Sequence, residues 1–404
     1  MTARGRAILA LGLVVYVVAW VFGSKALYPV AAGLALAVAL AVAWVRLSVR
    51  APDVQRHGAG HDVVEGEDVR MDLVLRPTSA LPPPTIVARE RLGRLGEREV
   101  ELVPVRRRRY AGGYELRGVP RGRYPFDTVR LSVEDAFGLA RASLDVEAPQ
   151  ALLVYPRLVE LDRLFTEGGS RLNDGRRLLL RRPSGFELHS VRDYEQGESL
   201  RRVHWPSTAR RGQLMVKELE DAPRDEVAVL LDGDASSVAG EPPESSFDVA
   251  VRAAGSILQA QARRGRRCVL IVNSAVRETQ TVASEGADWR RALELLAGCE
   301  ATARTPAFAL LEADGGAAAR ALELVVVTSR VDAPLVHRLV QRALSRRGAS
   351  LVYVEPAGFA GVPPRPEPQL LRLQAAGVPV AVVRSGDDLA AALSGPRRVE
   401  SARG

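Results

Sequence analysis

Two uninterrupted apolar runs open the chain. Ala7 to Phe22 carries no charge, Gly23, Ser24 and Lys25 interrupt it, and Leu27 to Val45 is again free of charge. At 1.5 Å per residue, helices over 7–22 and 27–45 are about 24 and 28 Å long, close to the ~30 Å hydrocarbon core of a bilayer. The turn between them is short, so the pair reads as a transmembrane helical hairpin. No small-x-small cleavage site separates the runs, as a signal peptide would require. Tyr16, Trp20, Tyr28 and Trp44 are candidate interfacial aromatics. Arg4 and Arg6 precede the hairpin and Arg46, Arg50 and Arg56 follow it, whereas the turn holds only Lys25. The positive-inside rule then places both ends, and everything after residue 50, in the cytoplasm.

Beyond a polar linker over 51–60 the period changes to two. Val69 to Leu75 reads V-R-M-D-L-V-L, and Glu99 to Val105, Tyr114 to Val119 and Thr128 to Val133 are further short strands punctuated by Gly, Pro and Asp. This spacing predicts a small antiparallel, immunoglobulin-like β-sandwich over 51–155. Arg106 to Arg109 reads as a hairpin turn between strands, or as a contact for anionic lipid headgroups. From residue 223 onward, apolar strands (226–231, 268–272, 322–328, 350–354, 378–383) alternate with helical stretches (247–262, 289–296, 335–344, 387–393), which predicts a parallel sheet covered on both faces. The expected fold class is therefore multi-domain: a hairpin (1–50), a β module (51–155), a central segment (156–222) and a C-terminal α/β domain (223–404).

Composition narrows the function. A chain of 404 residues is too long for one core. Its formal charge of +8 comes almost wholly from Arg, Lys25 and Lys217 being the lysines, and is scattered among 48 acidic residues. No basic, aromatic-interleaved stripe of the kind that binds nucleic acid is present. Cys268 and Cys299 lie far apart in apolar segments and read as reduced core thiols rather than as a disulfide framework or metal cluster. There is no Walker A pattern, no G-x-G-x-x-G after a strand, no G-x-S-x-G elbow and no H-E-x-x-H among the five histidines. The expectation is a protein that is not an enzyme.

The most distinctive stretch is G-F-E-L-H-S-V-R-D-Y-E-Q-G-E-S-L-R-R-V-H-W-P-S-T-A-R-R-G-Q-L-M-V-K-E-L-E, Gly185 to Glu218. It concentrates charges of both signs around an aromatic pair and a glycine turn, and Arg is suited to carboxylate pairing and to stacking on Trp or Tyr. The stretch resembles the bacterial domain-of-unknown-function family 58, whose pattern Arg192, Tyr194, Gly197, Arg202, Trp205, Ala209 and Arg210 match. Arg121–Gly122 with Tyr124, Asp135 with Phe137–Gly138–Leu139, and Tyr155–Pro156 resemble the family upstream. Glu198, His204 and Pro206 depart from it. The motif reads either as a clamp that locks the β module to the next domain or as a partner-binding surface.

The resemblance also implies a von Willebrand factor A-like C-terminal domain, a bacterial inner or plasma membrane location, and association with a MoxR-type AAA+ ATPase. Such a domain binds Mg²⁺ through D-x-S-x-S at the end of its first strand. Here the segment reads D-G-D-A-S, so Asp232 and Ser236 match while Asp234 replaces the middle Ser, and Thr328 and Ser329 stand where a further Asp is expected. Asp232, Asp234 and Ser236 are thus candidate ligands of a degenerate Mg²⁺ site. The loop 236–246 is a candidate binding loop over the same edge. The functional expectation is a membrane-anchored adaptor or scaffold. The alternatives are an envelope scaffold partnering a transglutaminase-like membrane protein, and a metal-dependent hydrolase.

Overall fold

The computed structural model describes residues 1–48, 52–58, 62–77, 85–106, 109–167, 187–193, 203–220, 227–283, 286–312, 316–345 and 347–395, with backbone alone for 187–193 and 216–220. The chain divides into two compact units, Met1–Tyr155 and Pro156–Gly404.

In the first unit, α1 (Ala3–Val21) and α2 (Leu27–Ser48) are both long and apolar enough to cross a membrane. Their 19 and 22 residues span about 28 and 33 Å. Helix α1 starts before the apolar run does because Thr2 caps it: the Thr2 hydroxyl accepts from the Gly5 N–H at 3.1 Å. This draws Arg4 and Arg6 into the first turns. Leu13, Val14, Trp20, Phe22, Leu36 and Leu40 are exposed. Water penalises such a surface and a bilayer does not.

Eight strands follow: β1 (Asp53–Gly58), β2 (Val63–Val64), β3 (Val69–Arg76), β4 (Thr85–Arg91), β5 (Glu97–Arg106), β6 (Arg109–Leu116), β7 (Gly122–Glu134) and β8 (Arg141–Tyr155). The expected two sheets are linked into one hydrogen-bonded series, β1-β3-β6-β5-β4-β7-β8-β2. The reason is β5, which serves two partners. Its first half pairs with β4, from Arg91 opposite Glu97 to Ile86 opposite Leu102, and its second half pairs with β6, Val103 opposite Ala111, through an irregularity at Pro104. A strand that changes partners part-way makes a corner rather than an edge. Two clusters fill the interior. One gathers Leu73, Leu75, Ile86, Leu102, Tyr110 and Val133 with Val45 of α2. The other gathers Met71, Leu92, Leu116, Tyr124, Phe126 and Val154.

The linker predicted over 51–60 contains β1, and Arg56 is not an interfacial charge. Its side chain is 2% exposed and its Nε meets Glu90 Oε1 at 2.5 Å. Tyr114 donates its hydroxyl to the other Glu90 oxygen at 2.6 Å. Arg56 also donates to the Ala148 carbonyl of β8 and lies 5.6 Å from the Phe126 ring centre. Burial, reinforced by the hydrogen bond to Glu90, pushes the Tyr114 phenol far above its usual range. Removing one member of such a pair strands a charge in low dielectric. Glu90→Gln is therefore expected to cost about 3 kcal/mol in urea unfolding of the detergent-solubilised chain, whereas Arg56→Met with Glu90→Leu should recover most of that loss.

The second unit opens with Val159 and Leu164 packed against the α/β core described below. A two-stranded antiparallel ribbon pairs β9 (Glu187–Asp193) with β10 (Met215–Glu220), with α3 (Trp205–Arg211) between them in sequence. The larger sheet holds β11 (Val227–Asp232), β12 (Cys268–Asn273), β13 (Glu278–Val282), β14 (Glu323–Thr328), β15 (Gly348–Val354) and β16 (Val380–Val383) in the order β13-β12-β11-β14-β15-β16. All pairings are parallel except that of β13, an antiparallel edge strand absent from the sequence expectation. Alternate residues of β11 serve opposite faces. Val227, Val229 and Leu231 pack under α4 (Ser246–Arg263) and α5 (Ala287–Gly298), while Ala228 and Leu230 pack under α6 (Ala333–Leu344) and α7 (Pro368–Ala375). This double coverage makes the strands continuous apolar runs. Cys268 and Cys299 are buried and are not joined in a disulfide.

Candidate functional site

The order of this sheet reverses between β11 and β14. In open α/β sheets ligands bind outside the carboxyl ends of the strands at such a switch point. Asp232 ends β11, Asn273 ends β12 and Thr328 ends β14, so three polar side chains converge there. Asn273 donates its amide to Asp232 Oδ1 and Thr328 donates its hydroxyl to Oδ2, each at 2.8 Å. Asp232 is 6% exposed. Asn273 also reaches the Thr305 carbonyl at 2.9 Å, and the Thr328 hydroxyl accepts from the Arg330 N–H at 3.0 Å. The Gly233 N–H donates to the Asn273 carbonyl at 2.9 Å, which turns the chain outward.

Asp234 belongs to a second, outer layer. One of its oxygens accepts from the Ser236 N–H and hydroxyl at 2.9 and 2.8 Å. The other meets Arg330 Nη1 at 3.1 Å, and the same Arg330 nitrogen is 3.3 Å from the Ser236 hydroxyl. The two carboxylates therefore do different work. Burial raises the Asp232 pKa against the hydrogen bonds from Asn273 and Thr328. Burial also acts upward on Asp234, but the hydrogen bonds from Ser236 and Arg330 outweigh it and hold Asp234 below its ordinary value.

The residues do not fit a Mg²⁺ site. That ion demands near-octahedral oxygen ligation with few compromises. Both Asp232 oxygens are held by protein donors, and a guanidinium already sits against Asp234 and Ser236 as an internal cation. Among the described residues, no group of three or more His, Cys, Asp or Glu side chains converges for a metal. The sequence reading named Asp232, Asp234, Ser236 and Thr328 but missed Asn273 and Arg330. Their signal was positional: each lies at or just beyond the end of an apolar strand, V-L-I-V-N and V-V-V-T-S-R.

The loop 236–246 is fastened rather than free. Ala239 and Ser246 exchange two hydrogen bonds, and Arg252 grips the Pro243 carbonyl and the Glu244 carboxylate at 2.6 and 3.0 Å. Ser245 and Asp248 form a capping box that starts α4.

The central motif is placed in part. Arg192 lies on β9 opposite Val216 of β10. Tyr194, Gly197 and Arg202 lie outside the described residues. Trp205, Ala209 and Arg210 lie on α3, and all three are exposed, Trp205 by 64%. What holds this helix is local: the Met215 N–H donates to the Thr208 hydroxyl at 3.0 Å, the His204 N–H donates to the Met215 carbonyl at 2.7 Å, and His204 Nδ1 lies 2.7 Å from the Ser207 hydroxyl. Trp205 and Ala209, four residues apart, form an open face of α3.

Residues 190–351 match the family model described as "Protein of unknown function DUF58". The matched segment runs from β9 through α3, β10 and the sheet into β15, so the switch-point site lies inside it. An uncharacterized protein of Bacillus subtilis (strain 168), YeaD, is 29% identical over 177 residues, which is 44% of this chain and 42% of that protein's length. Among solved structures, a CARDB domain from Pyrococcus furiosus (15% identity, TM-score 0.16, 25% of this chain and 91% of that one) is similar at a level that fixes neither fold nor function. The same holds for Cwp6 from Clostridium difficile (7% identity, TM-score 0.19, 74% of this chain and 37% of that one).

Two outcomes test this geometry. An Asn at position 232 can accept from Asn273 and donate to Thr328 without a buried charge. The raised pKa of Asp232 makes its ionised form a cost that appears as pH rises through the folded value. Asp232→Asn should therefore melt no lower than wild type at pH 8 in circular dichroism, and its relative advantage should shrink as pH falls toward 4. Trp205→Ala should shift the melting temperature by no more than about 1 °C, since exposed substitutions stay within about 0.5 kcal/mol.

Proposed function

We propose that the protein is a two-pass, membrane-anchored adaptor whose DUF58 domain faces the cytoplasm, is of the von Willebrand factor A type, and binds a MoxR-type AAA+ ATPase at its strand-end face. The observation that carries this reading is Arg330. Its guanidinium against Asp234 and Ser236 supplies the positive charge that a metal would bring, so the face is preset without an ion. The inner carboxylate is engaged on both oxygens by Asn273 and Thr328. A rigid polar face with a fastened loop beside it suits protein binding, where pre-organisation limits the entropy lost on association.

The von Willebrand-type reading draws on the strand order, the antiparallel edge strand and the D-G-D-A-S segment. The ATPase partner draws on the family resemblance alone. Anchoring would raise the partner's effective concentration at the bilayer surface, in a chaperone-like or envelope-related role. A second contact face is favoured by the exposure of Trp205 and Ala209. The envelope-scaffold reading, with a transglutaminase-like membrane partner, would use the anchor and β module instead.

The test is affinity capture of the tagged full chain from solubilised membranes under nucleotide-trapping conditions, with bound proteins identified by mass spectrometry. Wild type is expected to retain an AAA+ ATPase, and Arg330→Glu, checked for an unchanged melting profile, is expected to lose it. Retention by both, with loss in Trp205→Ala, would move the contact to α3. Absence of any such ATPase with wild type would refute the adaptor reading.

A further inference from the structure

The segment Asp135-Ala136-Phe137-Gly138-Leu139 was singled out by sequence and has no part in the strand-end site. It forms the turn between β7 and β8. Asp135 builds it: the carboxylate accepts from the Phe137 N–H at 3.0 Å and the Ala140 N–H at 2.6 Å, while its carbonyl accepts from Gly138 at 3.0 Å. Gly138 sits at φ +68°, a left-handed position that an L side chain resists. The result sends two side chains in opposite directions. Leu139 is buried in the cluster that includes Val45 of α2, and Phe137 is 78% exposed.

This turn is fastened to the start of the first apolar helix. The Thr2 hydroxyl donates to the Gly138 carbonyl at 2.5 Å, and the Thr2 N–H donates to the Leu139 carbonyl at 3.1 Å. Gly5, one turn into α1, lies so close to the Leu139 carbonyl that a Cβ would collide with it. Phe137 is therefore held at the level where α1 begins. Register places more of the same rim there. Glu134 pairs with Arg141, Thr85 with Glu134, Arg106 with Arg109 and Asp53 with Arg76, so the β7–β8 turn, the end of β5 and the starts of β6 and β1 share one end of the sheet. Arg4, Arg6, Arg46, Arg106 and Arg109 are exposed on these elements, as are Val103 and Val105 of β5.

We infer that this rim docks on an anionic lipid surface, with Phe137 inserted at the level of the headgroups and the arginines at the phosphates. The argument is continuity and charge. Helix α1 begins at Ala3, one turn ahead of the apolar run from Ala7, which puts Thr2 at the headgroup layer, and Thr2 is bonded to the residue that follows Phe137. An aromatic ring exposed at that depth gains by leaving water, and each cation near an anionic surface adds attraction. The inference rests on α1 and α2 spanning the bilayer, so the experiment reads the two separately.

Phe137→Cys and, as the span control, Val17→Cys are labelled with an environment-sensitive nitrobenzoxadiazole dye, the native thiols being buried. Each full chain is reconstituted at low protein density in vesicles containing phosphatidylglycerol. The expected result is a blue-shifted emission at position 137, quenched more by nitroxides near the headgroup than by nitroxides deep in the chain, and the reverse preference at position 17. Replacing phosphatidylglycerol with phosphatidylcholine should weaken the quenching at 137 and leave that at 17. Water-like emission at 137 with lipid quenching at 17 overturns the inference and spares the anchor. Water-like emission at both overturns the anchor and the inference with it.

Discussion

One buried guanidinium holds the first unit closed. Arg56 belongs to β1, at one end of the strand series, yet it bonds to Glu90 of β4 and to the Ala148 carbonyl of β8, near the other end. No backbone ladder joins β1 to β8 in that series, so this side chain does what a ladder would do in a closed barrel. The requirement runs both ways. The sheet needs Arg56 to draw its ends together, and Arg56 needs Glu90 and Tyr114 to be tolerable in an interior of low dielectric. Because β1 follows α2 almost directly, the same pair also sets how the chain enters the sheet after the apolar hairpin.

The hairpin and the sheet are consequently joined at two points, by α2 leading into β1 and by Thr2 bonded across to the β7–β8 turn. A single connection would leave the apolar helices free to pivot on a hinge. Two attachments at one rim remove that freedom and make hairpin and sheet a single body, with a shared apolar cluster from Val38 to Ala140. The β module then acts less as a tether than as a rigid plinth for whatever the hairpin is embedded in.

The legible parts of the fold were those where burial alone decides the sequence. β11, β12 and β14 are buried on both faces and read as continuous Val, Leu and Ile, and α4 announces itself with a capping box and an apolar stripe. β1 was unreadable for the opposite reason. D-V-Q-R-H-G has a polar composition suited to a linker, and only a distant Glu90 makes its arginine an interior residue. Strand β8 was not among the expected strands, although R-A-S-L-D-V-E-A alternates with a period of two. At the site, Asp232 and Asp234 stood out as carboxylates at a strand end, but their separate roles depend on Asn273 and Arg330, which lie 41 and 96 residues from their partners.

The edges of the six-stranded sheet carry a further implication. At one edge β13 runs against its neighbours and presents Glu278 and Thr279 to solvent, and at the other β16 is only four residues long. Short or charged borders give an approaching strand little to extend. Borders of this kind let many copies crowd together without zipping into a common sheet.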